Sequence, residues 1–197
     1  MTDTPLNTAV LVGSTRENRF APNPAAWFVD HAKQRDDLAL DVIDLAETPL
    51  PTVQQAHPVY TGHYPSPDVR AFASRIAAAD AFVVAAAEYN HSFPAPLKLA
   101  IDSVHPEWRA KPVGFVSYGG LAGGLRSVEQ LRLVFAELHA VTMRDTVSFP
   151  NYWKEFDADG NPTNPDGVAA AATTMLNQLV WWGTTLRDAK RDHPYDV

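Results

Sequence analysis

Apolar, β-branched runs alternate with stretches of helical periodicity along the whole chain. The runs are NTAVLVG (7 to 13), LALDVIDL (38 to 45), AFVVAA (81 to 86), VGFVSY (113 to 118) and AVTMRDTVSF (140 to 149). Helical patterns fall near 23 to 36, 67 to 79, 95 to 106, 124 to 139 and 167 to 189. Such alternation predicts βαβ units feeding a parallel sheet with helices on both faces. The first, third and fourth runs are almost continuously apolar, as central strands covered on both faces must be, whereas the second and fifth are mixed and belong at the edges. Local signals support the helices. Asn23 precedes Pro24, and Pro96 stands ahead of Leu97, Ile101 and Val104 at helical spacing. The last helix carries Val168, Ala172, Met175, Leu179 and Leu186 on one face.

Two proline-rich segments, 46 to 67 and 150 to 167, break the pattern. Long excursions of this kind in a compact unit are expected to cover or contact a functional site. No repeat or linker divides the chain, so 1 to 197 reads as one domain.

Composition then narrows the chemistry. Apolar residues make up 46% and charged residues 20%, the balance of a soluble globular protein. A net charge of −7 without a basic stripe argues against a nucleic-acid partner. No apolar stretch is long enough to span a bilayer and no basic region precedes the first apolar run, so a cytoplasmic protein without a membrane partner is expected. There is no cysteine, which removes disulfides, thiolate metal ligands and a catalytic thiol. Redox chemistry, if present, has to come from a cofactor.

In an open α/β sheet, ligands bind beyond the carboxyl ends of the strands near the switch in strand order. Three loops there stand out. After the first strand, GSTRENRF (13 to 20) combines a turn glycine, hydroxyls, two arginines and an approaching helix N-terminus, a combination suited to a phosphate. It is neither a P-loop nor the G-x-G-x-x-G of a dinucleotide fold. After the third strand, AEYNHSFPAPLKLAID (87 to 102) places Glu88, Tyr89, Asn90 and His91 where the apolar run stops. After the fourth, SYGGLAGG (117 to 124) has four glycines in six residues, letting backbone N–H groups approach a ligand closely. Each loop alone is also compatible with an ordinary turn.

Taken together, the three loops resemble the NADPH-dependent FMN reductase family, whose patterns G-S-x-R, P-E-Y-N-x-S-x-P-x-x-L-K-N-A-I-D and S-x-G-G-x-x-G-G-x-R match GSTR, AEYNHSFPAPLKLAID and SYGGLAGGLR. The resemblance spans about 8 to 186 and implies a flavodoxin-like, doubly wound five-stranded sheet of order 2-1-3-4-5. By the same resemblance, Ser14, Arg16, Arg19 and Phe20 would hold the FMN phosphate. Glu88, Tyr89, Asn90 and His91 would line the isoalloxazine, with Glu88 acting through loop conformation. Ser117, Tyr118, Gly119 and Gly120 would meet the pyrimidine side of the ring. Three positions depart from the pattern: Ala87 replaces a common proline and would loosen the ring loop, Leu99 replaces an asparagine, and Arg19 stands where many members have serine.

The resemblance implies an NAD(P)H-dependent reductase that passes hydride from NADPH or NADH through FMN to a small-molecule electron acceptor such as a flavin or quinone. It implies no catalytic side chain, because the cofactor carries the chemistry. It also implies a homodimer or tetramer, in which Tyr60, Tyr64 and Trp108 either reach a partner or cover their own sheet. The rival reading is a flavodoxin-like FMN carrier serving a protein partner, against which Arg16 in the phosphate loop counts. A phospho-acceptor receiver is excluded by GSTR and AEYN where it needs aspartates. No metal site is expected. DADGN (157 to 161) lacks the glycine and glutamate of a calcium loop, and the seven histidines show no ligand spacing. No serine sits in a G-x-S-x-G elbow.

Overall fold

A computed structural model describes residues 4–196. The strands are β1 (Leu6–Val12), β2 (Leu38–Asp44), β3 (Ala81–Ala87), β4 (Pro112–Gly119), β5 (Val141–Thr142) and β6 (Val147–Pro150). The helices are α1 (Pro22–Ala32), α2 (Pro67–Ala78), α3 (Ala95–Asp102), α4 (Leu125–Glu137) and α5 (Pro165–Asp192). All strand pairs are parallel, in the order β2-β1-β3-β4-β5, with β6 also paired to β4. The expected topology is the one observed.

Alternation along the strands builds two cores. Leu11, Phe82, Val84 and Phe115 point toward α2, α3 and α4, whereas Val10, Val83, Ala85 and Val116 point toward α1 and α5. Every residue of β3 is buried, which is why its run carries no polar position.

The fifth expected strand is two pieces. Val141 faces Pro112, whereas Val147 faces Val116, so residues 143 to 146 stand opposite only Gly114 and Phe115. The surplus chain bulges out of the ladder, and Asp145 in the bulge hydrogen-bonds Gln178 on α5. Helix α1 also starts a little earlier than expected. Pro22 opens it, and Pro24 occupies another early position whose missing N–H costs nothing. Helix α3 ends at Asp102, and the chain to Trp108 finishes in a short 3₁₀ turn. Trp108 is fully buried between Phe82 and Phe135, and Tyr64 is buried with its hydroxyl on Glu107, so both cover their own sheet. Tyr60 alone of the three is exposed.

Candidate functional site

The carboxyl ends of β1, β3 and β4 open onto one cavity of about 480 Å³, within the range of small-ligand sites. Eight of the residues expected at a cofactor line it: Arg16, Arg19, Phe20, Glu88, Tyr89, Tyr118, Gly119 and Gly120. The other four support it from behind or beside.

The first loop leaves β1 through Gly13, whose N–H donates to Ala85 O at 2.9 Å. A Cβ at Gly13 would sit 3.1 Å from that carbonyl and 3.1 Å from Leu97 Cδ2 of α3, tighter than an ordinary contact, which favours the glycine. Ser14 is fully buried, and its Oγ lies 2.7 Å from the Tyr89 hydroxyl, tying the first loop to the second. The amides of Thr15, Glu17 and Asn18 have no acceptor among the described residues, and Asn18 sits at φ +51°. Unpaired N–H groups gathered in a turn that includes a left-handed residue form a concavity suited to an anion. The N-terminus of α1 contributes less than its position implies. Pro22 and Pro24 carry no N–H, and the amides of Asn23 and Ala25 are spent on Phe20 O and Ala21 O.

Arg19 reaches the cavity wall but is heavily engaged. Its Nη1 donates to Ser14 O at 2.6 Å and Asp44 Oδ1 at 2.5 Å, and Nη2 donates to Asp44 Oδ2 at 2.5 Å. The hydrogen bond to Asp44 raises the Arg19 pKa. Burial works against the charge on Asp44, yet the Arg19 and Ala46 N–H groups and the guanidinium charge together hold its carboxyl below the ordinary range. Arg16 is exposed and forms no ion pair among the described residues.

The second loop turns sharply. Tyr89 and Ser92 exchange backbone hydrogen bonds of 2.8 and 3.1 Å around Asn90 and His91, at φ +50° and +72°. This is the sign pattern of a tight type I′ turn. Gln130 of α4 clamps it by donating to His91 O at 2.7 Å and accepting from Ser92 Oγ. Asn90 and His91 are exposed at the turn, beside the cavity rather than in its wall. Ala87 does not loosen this loop. It is buried, pairs with Tyr118 and extends β3 by one residue.

The third loop is fixed by its glycines. Gly124 lies at φ +88°, and a Cβ there would sit 2.6 Å from Ser117 Cβ. Ser117 is buried, with its hydroxyl given to Gly123 O at 2.9 Å, so it anchors the loop from below. Glu88 closes the contact between loops: its carboxylate accepts from the Arg126 backbone N–H at 3.2 Å and from Arg126 Nη1 at 2.9 Å, capping α4. Gly120, by contrast, has nothing nearer to a Cβ than the Trp153 ring at 4.0 Å.

Tyr118 is the exception among these satisfied groups. Only 3% exposed, it lies in the cavity wall against Phe20 and Tyr152, and its buried hydroxyl has no well-formed hydrogen bond among the described residues. Burial, with a contribution from Tyr89, outweighs the opposing pull of the nearby Ser14 hydroxyl and pushes its pKa well above the ordinary phenol range, so it is a neutral donor. Tyr152, the remaining aromatic wall, carries no signal of its own in the sequence. The 150 to 167 segment reads as a cover or contact, but nothing local singles out this tyrosine from Trp153 beside it. The cavity therefore offers unpaired loop amides, a free arginine, an orphaned hydroxyl and an open glycine edge, a donor set that fits a phosphorylated flavin.

Residues 6–154 match the family model for NADPH-dependent FMN reductase. The chain belongs to that family. It is similar to an NAD(P)H-dependent FMN reductase of Schizosaccharomyces pombe, 36% identical over 117 residues that span 58% of each chain. It is also similar to an NADPH:quinone oxidoreductase of Arabidopsis thaliana, 37% identical over 163 residues covering 79% of this chain and 81% of that one. Among solved structures, the flavoenzyme FerB from Paracoccus denitrificans, an NAD(P)H:(acceptor) oxidoreductase, has a TM-score of 0.71 at 21% identity over 91% of this chain and 98% of its own. That likeness carries the flavodoxin-like fold. As an FMN reductase family member the protein is an NAD(P)H-dependent oxidoreductase that works with FMN.

Proposed function

We propose that the strand-end cavity holds FMN with its phosphate in the 14 to 20 loop, and that the enzyme delivers reducing equivalents from NADPH or NADH to a small quinone-like acceptor. The observation that carries this is the convergence of three unrelated loops on one cavity whose wall keeps a buried Tyr118 hydroxyl without a well-formed hydrogen bond among the described residues. Bound FMN would supply reversible two-electron chemistry between nicotinamide and acceptor.

The chain's own residues bind, orient and exclude water. The Thr15, Glu17 and Asn18 amides and Arg16 meet the phosphate, and Tyr118 donates a neutral hydrogen bond to it. Phe20, Tyr118 and Tyr152 form an apolar wall behind. The 89 to 92 turn and the Gly119–Gly120 backbone border the ring, with Asn90 and His91 at its rim and Ser117 holding the glycine loop. Glu88 is occupied by Arg126 and is not placed to shuttle a proton, so no side chain is assigned as a catalytic acid or base.

A quinone acceptor is supported by the quinone oxidoreductase relative and by an exposed aromatic rim, where Trp153 is 58% exposed beside Gly120. Homodimerisation, or a dimer of dimers, is supported by Leu121 and Leu125, large apolar side chains left exposed in and after the glycine loop. Among the described residues no helix is long and apolar enough to cross a membrane. Action in the cytoplasm as a single domain remains part of the proposal.

The deciding test is anaerobic stopped-flow mixing of FMN-loaded protein with NADPH, then NADH, followed by a quinone. Bleaching of the oxidised flavin band and its recovery on adding quinone are expected. Stable FMN binding without bleaching would instead identify an electron carrier.

A further inference from the structure

We propose that Asp44, at the end of the edge strand β2, is a positioning residue for the phosphate loop: it locks Arg19 across the loop as a brace and withholds it from the phosphate. The proposal rests on the FMN reading above.

The geometry is a chain of contacts. Asp44 takes both guanidinium nitrogens of Arg19 at 2.5 Å each, the fork-to-fork arrangement that fixes direction as well as distance. The same Nη1 donates to Ser14 O at 2.6 Å, and Ser14 Oγ meets the Tyr89 hydroxyl at 2.7 Å. Asp44 is anchored in its turn. Its Oδ1 accepts from Ala46 N at 3.0 Å, and its carbonyl accepts from Thr48 Oγ1 at 2.7 Å. The side chains of Arg19 and Asp44 are 14% and 21% exposed, so water screens the pair only partly.

Two consequences follow. Three of the five N–H groups of Arg19 are committed within the protein, and a carboxylate sits at contact distance from its charge. A phosphate approaching Arg19 would meet Asp44 as well, so the net attraction there is small. Arg16, exposed and without an ion pair among the described residues, is left as the cation of the loop. The carbonyl of Ser14, meanwhile, is pinned at the point where β1 gives way to the loop, which sets the direction of the amides that follow.

This assignment reverses the sign of one mutation. If Arg19 were a phosphate ligand, Asp44→Asn would release its charge and tighten FMN. If Arg19 is a brace, Asp44→Asn loosens the loop and weakens FMN.

The experiment uses apoprotein and two readouts. FMN affinity is read from quenching of flavin fluorescence in the wild type, Asp44→Asn, Arg19→Lys and the double variant. Both single variants are expected to bind about tenfold more weakly, the loss of one strong charge-assisted interaction. Arg19→Lys keeps the charge but not the fork. The double variant is expected to be no worse than either, since all three break the same bridge. Unchanged or tighter FMN binding by Asp44→Asn would overturn the brace. The second readout needs no flavin: limited trypsin digestion after residues 16 and 19, expected to quicken in both single variants. Unchanged cleavage in both would also overturn it. Should Asp44→Asn fail to fold, Arg19→Lys carries both measurements. Wild-type protein that does not bind FMN would defeat the functional reading, and the digestion alone would then decide the brace.

Discussion

At the scale of single residues, the clearest feature of the site is a hydroxyl whose cost is visible in the fold. Tyr118 buries its OH without a well-formed hydrogen bond among the described residues, which typically costs about 1–3 kcal/mol. Tyr118→Phe removes that cost and keeps the ring packing on Phe20 and Tyr152. The apoprotein of this variant is therefore expected to melt higher than wild type. With FMN the order reverses, because a neutral donor to a charged phosphate is lost and affinity falls about tenfold or more. Differential scanning fluorimetry with and without FMN reads both signs in one experiment. A variant stabilised equally in both states would show that the ligand never uses this hydroxyl.

At the scale of elements, the loops are positioned from outside themselves, and that is where the sequence stops being legible. The apolar runs of β1, β3 and β4 and the edge character of β2 follow from composition alone, because burial on two faces leaves little room for polar residues, Thr8 and Ser117 being the buried exceptions. The split of the last strand does not follow, since the surplus residues 143 to 146 exist only relative to β4. Nor does the division of labour among the motif residues. Ser14, Ser117 and Glu88 stand in binding motifs, yet their side chains serve Tyr89, the Gly123 carbonyl and the start of α4. Only the fold shows which partner each one finds. Glu88→Gln tests this reading: it keeps the shape but removes the charge from a helix cap and from Arg126. An apoprotein destabilisation of about 0.5–2 kcal/mol by urea unfolding is expected. FMN should dissociate faster without any change in the pH dependence of turnover, which a proton-shuttling Glu88 would alter. At the opposite end of the sheet, Lys111 gives both of its hydrogen bonds to the last carbonyls of α2, Ile76 O at 2.8 Å and Ala77 O at 3.0 Å. Burial pulls its pKa down to about 7. The unfolded chain keeps that proton well above pH 7, so unfolding takes one up and stability rises with pH through this window. Urea midpoints measured from pH 7 to 9 are expected to climb in the wild type. Lys111→Met should flatten the slope, whatever its absolute stability.

At the scale of the whole molecule, charge and function pull in opposite directions. The chain carries a net −7, yet its proposed reductant is a polyanion that must enter beside the flavin. The cavity does not offset this with a cationic funnel. Arg16 in its wall is matched by Glu17, and Arg19 and Glu88 are already paired, with Asp44 and Arg126. Nothing at the mouth therefore focuses an attractive field strongly enough to outweigh the distant repulsion. Salt shortens the reach of that repulsion, with a screening length of roughly 30 Å at 0.01 M and 8 Å at 0.15 M. The bimolecular rate of flavin reduction by NADPH is accordingly expected to rise as sodium chloride goes from 0.01 to 0.15 M, opposite to the behaviour of electrostatically steered enzymes. An uncharged quinone supplies the internal control, because its rate constant should stay flat over the same range. If the NADPH rate falls instead, the field of Arg16 governs approach despite the overall charge. Arg16→Ala would then be expected to restore the rising dependence, tying the steering to one side chain in the first loop.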